Sequence, residues 1–428
     1  MTQSMEKPVM VRFLLTAFLW SVVLFARNIA SAIDTDQAKS WNQWRGPTRD
    51  AKVSASEWPN RLSPDCLTQK WSVDLGPSYS GPIVTPDYVF ATSTENKQFE
   101  VVHAFDRQTG KQIWEQRWEG SISVPFFAKS NGDWIRATPA FDGDRLYVAG
   151  IRDVLVCLNG KTGEPIWHVD FVELLGSSKP SFGCASSPLL HGDHVFMQAG
   201  GGFLKINKHT GEIVWRVLED GGGMSGGAFS SPHLVTLGAI DQILVQTRTR
   251  LVSIDPESGK TYWEQEIPAF RGMNILTPTV IGQKVFTSSY GGRSFCYAAE
   301  LSESSWRLTE SWTNKLQGYM SSPIVIDEYI YIHLRNQRFA CIHASTGEIQ
   351  WTTKPYGKYW SLVANGEKIL ALDQSGKLLL IRANPAEFQL LDSRDISDQE
   401  TWAHLAVVEN EICIRHLNRL AVYNWKDD

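Results

Sequence analysis

"NKHTGEIVW", residues 207–215, is a polar residue, a Thr-Gly step and a Trp at fixed spacing. The same phrase returns as "DRQTGKQIW" (106–114), "NGKTGEPIW" (159–167), "DPESGKTYW" (255–263) and "HASTGEIQW" (343–351). An opening Asp or Asn can accept backbone N–H groups two residues on and so start a turn. The Gly takes the left-handed conformation that other residues resist. Alternating apolar runs precede the phrase, such as "FLKI" (203–206), "LVSI" (251–254) and "FACI" (339–342). Each copy therefore reads as a hairpin whose second strand ends in Trp.

Ser/Thr-Pro steps fill the intervals: "SGP" (80–82), "ATP" (137–139), "SSP" (186–188 and 230–232), "LTP" (276–278) and "SSP" (321–323). An apolar strand, a polar turn and another apolar strand follow each one, as in "PIVTPDYVFATS" and "PIVIDEYIYIHL". One unit thus holds four strands, and units recur about 40–50 residues apart, the range of propeller blades. Worn copies complete the count. Trp312 closes a unit whose turn is replaced by "ELSESSW" (300–306), and Phe388 in "ANPAEFQLL" is read as a replaced Trp. The last strands make only three, and "LTQKWSVDL" (67–75), with Trp71, supplies the fourth from the other end of the chain. The fold expected is an all-β, eight-bladed propeller of four-stranded blades, closed by pairing of the N-terminal strand with the C-terminal strands, which removes open sheet edges. Helix should be almost absent. The 17 Trp and 33 Gly then have a cause: indoles cover gaps between blades, and Gly serves turns and crowded backbone.

Around the repeats, the formal net charge of -5 and the lack of a basic stripe argue against a nucleic-acid partner. Lys7 and Arg12 precede an apolar run, "FLLTAFLWSVVLFA" (13–26), followed by "ASA" (30–32). This is signal-peptide length, too short for an ordinary spanning helix. The domains expected are a signal peptide at 1–32, a lead-in segment at 33–66 that packs on the propeller, and the propeller at 67–428. The mature chain is expected to be extracytoplasmic (periplasmic or secreted), monomeric and not stably inserted in a membrane. No Cys follows the apolar run before Cys66, against a lipid anchor. The six Cys show no CxxC and no vicinal pair, which favours buried single thiols over disulfides. Cys157 and Cys341 fall at one repeat position in blades on opposite sides of the ring, too far apart to bond each other.

The repeated phrase with its "SSP" steps resembles the pyrroloquinoline-quinone-like β-propeller repeat family, over nearly all of residues 68–428. "WNQWRGPTRD" (41–50) is similar to the lead-in of exported, planctomycete-type members. The resemblance implies one of two roles: a propeller lipoprotein of the outer-membrane β-barrel assembly machinery, which binds protein, or quinoprotein dehydrogenases, which use pyrroloquinoline quinone with calcium. The chain lacks the vicinal Cys pair of the quinoprotein alcohol dehydrogenases, and no convincing calcium-binding Glu/Asn/Asp set appears.

Loops leading into the innermost strands should crowd one mouth of the channel. They carry Trp134, Arg136, Arg271, Asn274, Tyr319, Trp360, Trp402 and His404, together with Tyr79, Phe182, Cys184, Met224 and Ser225. Aromatic, Arg and amide groups suit a planar or anionic ligand, although the same side chains could simply close the channel. "GGGMSGGAFSSP" (221–232) lacks Gly-Lys-Ser/Thr and is no phosphate loop. "HGDH" (191–194) offers too few convergent ligands for a metal. "WNQWRGPTRD" is expected to run over the propeller surface as a clasp, with Trp41 and Trp44 on a face or rim and Arg45 in a local ion pair. The function read from these features is a non-catalytic module binding a protein or other envelope macromolecule, with no cofactor. The alternative is a dehydrogenase acting on an alcohol or sugar with pyrroloquinoline quinone and calcium.

Overall fold

The computed structural model describes residues 39–219, 227–303 and 305–426. The apolar run at 13–26 lies outside the described residues, as do Met224 and Ser225. Eight four-stranded antiparallel sheets follow one another around a ring. Blades 1 to 7 are consecutive in sequence: 83–119, 140–170, 189–217, 233–266, 279–314, 324–352 and 361–395. Blade 8 joins 406–425 to the strand Leu67–Asp74, which pairs antiparallel with Arg419–Trp425 and sets Trp71 opposite Val422. Among the described residues, helix is confined to one turn at Phe171–Leu175 and two short 3-10 turns. No helix among the described residues is long and apolar enough to cross a membrane.

The Thr-Gly turns form as their residues dictate. Asp106 Oδ1 accepts the N–H groups of Gln108 (3.1 Å) and Thr109 (2.8 Å), and Asn159 repeats this with Lys161 (2.9 Å) and Thr162 (3.0 Å). A one-residue bulge then shifts the register beside the Trp. Each Trp seals its blade against the turn of the next. The Trp71, Trp114, Trp167 and Trp215 indoles donate to the carbonyls of Arg107, Gly160, Lys208 and Glu257 at 2.9–3.1 Å. Trp312 and Trp351 donate to Ala344 and Asn384 at 2.8 Å. Each also lays its ring over apolar neighbours, a contribution on the order of 2–3 kcal/mol.

Two irregular blades show what the phrase does. Trp263 faces blade 5, whose Thr-Gly turn is replaced, and its indole N–H has no partner. Trp312→Phe is therefore expected to cost about 1–2 kcal/mol more than Trp263→Phe in urea unfolding, because only the first leaves a carbonyl unpaired. In blade 7 the register corrects the sequence reading. Asp392, opposite Leu380 at the bulge, stands where the other blades place Trp, and Phe388 lies before the strand. Phe388 packs instead on Trp351 (5.7 Å) and Tyr356 (5.5 Å). The Asp392 carboxylate accepts the N–H of Leu62 at 2.6 Å, so the lead-in covers this seam in place of an indole.

Two buried carboxylates bridge neighbouring blades. Glu100 accepts from Ile151 N–H (2.6 Å) and the Trp118 indole (2.8 Å), and Asp153 accepts from Gly200 N–H (2.6 Å). Burial raises Glu100 to about 7 and Asp153 to about 6. Folded values above the unfolded ones mean that their contribution is full below about pH 4 and is lost as pH rises through 6 and 7. The buried His103, His233, His333, His404 and His416, lowered by burial to about 3 or 4, act in the opposite sense, since their contribution is present above about pH 6.5 and is lost as pH falls. The carboxylate share is therefore read as a difference: relative to the unaltered chain, Asp153→Asn, which keeps an acceptor without the charge, should gain about 1–1.5 kcal/mol in urea unfolding between pH 5 and pH 8.

All six cysteines are buried free thiols. Cys157, Cys296 and Cys341 each pair across the sheet with a sealing Trp, at residues 167, 312 and 351.

Candidate functional site at the channel mouth

The Ser/Thr-Pro steps do more than begin strands. Pro has no N–H, and the residue before it is held extended. That residue turns its own N–H to the next blade. Gly81 N–H donates to Thr138 Oγ1 (3.0 Å), Thr138 to Ser187 (3.0 Å), Ser187 to Ser231 (2.9 Å), Ser231 to Thr277 (3.3 Å) and Thr277 to Ser322 (3.1 Å). This chain of amide-to-hydroxyl bonds joins six blades around the axis. In blade 7 Leu362 takes the place of Pro, and the Ser361 hydroxyl is buried without a partner. The sequence showed the steps, but their role as a ring appears only once the blades are set side by side.

The segment 41–53 closes the axis from below. It does not run over the surface as expected. Trp41 exchanges both backbone bonds with Val84 of blade 1 (2.7 and 3.0 Å), and Asn42 O accepts from Phe141 of blade 2 (2.8 Å). Arg49 donates to the carbonyls of Pro188 (2.7 Å) and Ser187 (3.1 Å), next to blade 3. Arg45 donates to the Pro323 carbonyl next to blade 6 and to Asp50 O, so its guanidinium serves carbonyls and not the local ion pair expected. Ala51 O and Val53 N–H pair with Ala364 of blade 7 (2.8 and 2.9 Å). Trp41 is 1% exposed, Arg45 2% and Arg49 1%. Burial lowers Arg45 to about 10 and Arg49 to about 9, so both stay cationic at neutral pH. An Arg can span this gap because its fork satisfies several carbonyls at once. Sequence reasoning missed the plug because "WNQWRGPTRD" has no repeat partner, and its two Arg read as surface groups.

Above the plug lies a cavity of about 240 Å³. Trp44 forms its floor, with Arg45 and Arg49 each 5.6 Å from its ring. Of the residues expected at the mouth, Arg136, Tyr319, Trp360, Trp402 and His404 line it, with Tyr79 and Phe182. Trp402 and Tyr359 stack at 4.4 Å and 4°, and Tyr79 meets Trp402 at 4.8 Å. Arg136 is fixed by donating to the carbonyls of Trp134 (3.3 Å) and Gly132 (3.0 Å); burial lowers it to about 10, leaving it charged. His404 stacks on Trp41 at 6.0 Å, and burial beside Arg45 takes it down to about 3, so it is neutral. Burial raises Tyr79 and Tyr319, which stay protonated.

Trp134, Arg271 and Asn274 do not line the cavity. Arg271 is exposed over Phe270 (5.2 Å), and its carbonyl accepts from Arg248. Asn274 is buried and donates to the Arg248 and Ile267 carbonyls, both at 3.0 Å, which fixes the loop. Cys184 is buried in the core between blades 2 and 3.

Residues 98–353, more than half of the chain, match the family described as outer membrane protein assembly factor BamB. The chain belongs to this family of PQQ-like propellers. The BamB-like chain is 24% identical over 308 residues to BamB of Yersinia pestis, covering 68% of this chain and 71% of that one. It is 24% identical over 195 residues to the dehydrogenase subunit of a quinone-type alcohol dehydrogenase of Gluconacetobacter polyoxogenes, covering 42% of this chain and 25% of that one. The BamB structure from Moraxella catarrhalis superposes with a TM-score of 0.63 at 17% identity, over 84% of this chain and 100% of that one. A quinohemoprotein alcohol dehydrogenase from Comamonas testosteroni gives 0.66 at 12% identity, over 91% and 81%. At such identities the two structures speak for the fold alone.

Pyrroloquinoline quinone with calcium, the cofactor pair of the second branch, fits this mouth poorly. The quinone is a tricarboxylate, and Arg136 is the one cation among the described lining residues. Calcium takes six to eight oxygen ligands, carboxylates prominent among them, and no Asp or Glu is among the described lining residues.

Proposed function

We propose that this BamB-like propeller works outside the cytoplasm as a non-catalytic, monomeric binding module that docks a protein or other envelope macromolecule on its mouth face. One observation carries the reading: the loops that feed the mouth also hold out apolar side chains. Phe126 is 87% exposed and Phe127 62%, on the loop that leads to Arg136, and Phe270 is exposed on a further inter-blade loop. Apolar groups gathered on one face, around an aromatic pocket, are the usual make-up of a docking surface. The relatives named as assembly factors support the same role.

The test is affinity capture from a cell-envelope extract with the unaltered chain and a Phe126→Asp/Phe127→Asp variant. A partner should be recovered by the first and reduced at least about tenfold by the second, since two apolar anchors are replaced by charge. Equal recovery by both would remove the mouth face from the reading. Titration with pyrroloquinoline quinone and calcium is the companion experiment. Stoichiometric binding with turnover of alcohols or sugars would replace the reading with the dehydrogenase alternative.

A further inference from the structure

The lining of the cavity inside the mouth has a chemistry that surface docking does not use. We propose that it is a binding site for a small aromatic monocarboxylate, with the ring between the aromatic walls and the carboxylate on Arg136. This goes beyond the docking role and does not rest on it.

Size sets the first limit. An apolar cavity of roughly 150 Å³ holds one benzene ring. The 240 Å³ here fits a ring with a short polar substituent. The walls set the second. Tyr359 and Trp402, already parallel at 4.4 Å, and Phe182 across the cavity present ring faces and edges suited to an aromatic guest.

Charge sets the third. Arg136 is protonated and pre-oriented by two carbonyls, so little freedom is lost when it takes a carboxylate. Arg45 and Arg49 add positive potential from beneath the Trp44 floor. Three carboxylates are near, none of them in the described lining. Asp50 lies beside Arg45, Asp133 lies near Arg136, and Glu400 is hydrogen-bonded to the Tyr79 hydroxyl at 2.9 Å.

Hydroxyls set the fourth. Thr138, Ser187 and Ser322 each accept a backbone N–H through oxygen, which leaves their own protons to donate. The Ser361 hydroxyl, on a residue 7% exposed, lines the same cavity with no partner at all. Buried donors without acceptors call for an acceptor-rich guest. A dicarboxylate would leave its second charge unpaired.

The test uses the unaltered chain and two probe pairs: cinnamate with cinnamamide, and indole-3-acetate with indole-3-acetamide. Calorimetry gives the affinity and stoichiometry of each. The acids should bind with sub-millimolar Kd and at least about tenfold more tightly than the amides. Arg136→Lys should keep the preference for acid, and Arg136→Met should erase it. Amides binding as well as acids would overturn the proposal, as would no response to either acid at several millimolar. The acid–amide comparison needs no variant, so misfolding of Arg136→Met would not shield the idea.

Discussion

Trp41→Ala is expected to destabilise the protein by about 3–5 kcal/mol, the usual cost of deleting a fully buried aromatic. The side chain is 1% exposed, stacks on His404 and sits against Gly46, where an added Cβ would come within 3.0 Å of its ring. Its removal empties the bottom of the axis and frees the turn that carries Arg45 and Arg49. Those two cations would then lose their fixed approach to the Pro323, Pro188 and Ser187 carbonyls. Urea unfolding should show a lower midpoint, and fluorescence should show Trp44 more open to quenchers such as acrylamide. A loss below about 1 kcal/mol would mean that the segment is held by its backbone bonds alone.

The second large effect is expected at a Thr-Gly turn. Gly347 has φ +74°, and a Cβ there would lie 2.4 Å from Trp312 Cδ2. Gly347→Ala pays twice. The left-handed backbone costs about 1–2 kcal/mol for a residue with Cβ, and the displaced indole forfeits a further 2–3 kcal/mol of burial. Gly282→Ala separates the two. It has φ +58° with nothing within 4 Å of the added atom, so it should lose the backbone share alone. Equal losses at the two positions would show that the indole yields at no cost. The glycine of the repeated phrase is therefore needed for two reasons, and the turn accounts for only one of them.

The ring was legible because each blade repeats one sentence. Fixed spacing between a turn residue, a Gly and a Trp survives without any knowledge of neighbours, and the pairing of Trp71 with Val422 follows from counting strands. Blade 7 shows the limit. Its Trp is replaced by Asp392, a polar residue that no hydrophobic pattern would place at a seam, and the nearest aromatic, Phe388, drew the reading four residues away. The site was legible in part. Arg136, Tyr319, Trp360, Trp402 and His404 were placed by their position before innermost strands, and that position does fix them near the axis. Arg271 and Asn274 share the position, but a left-handed residue at Arg271 (φ 52°) turns its side chain outward, and a local backbone choice of that kind leaves no mark in periodicity. The plug was illegible because its hydrogen bonds span five blades, at sequence separations up to 311–313 residues for Ala364, and nothing local announces them.

The joint between Leu67–Asp74 and Arg419–Trp425 also dictates an order of events. A chain made N-terminus first releases its clasping strand hundreds of residues before the partner exists, and the plug waits for blades 6 and 7 in the same way. Both early segments must dock last. Until then the maturing molecule is an open arc with two unsatisfied sheet edges, exposed to mispairing until its final strand arrives.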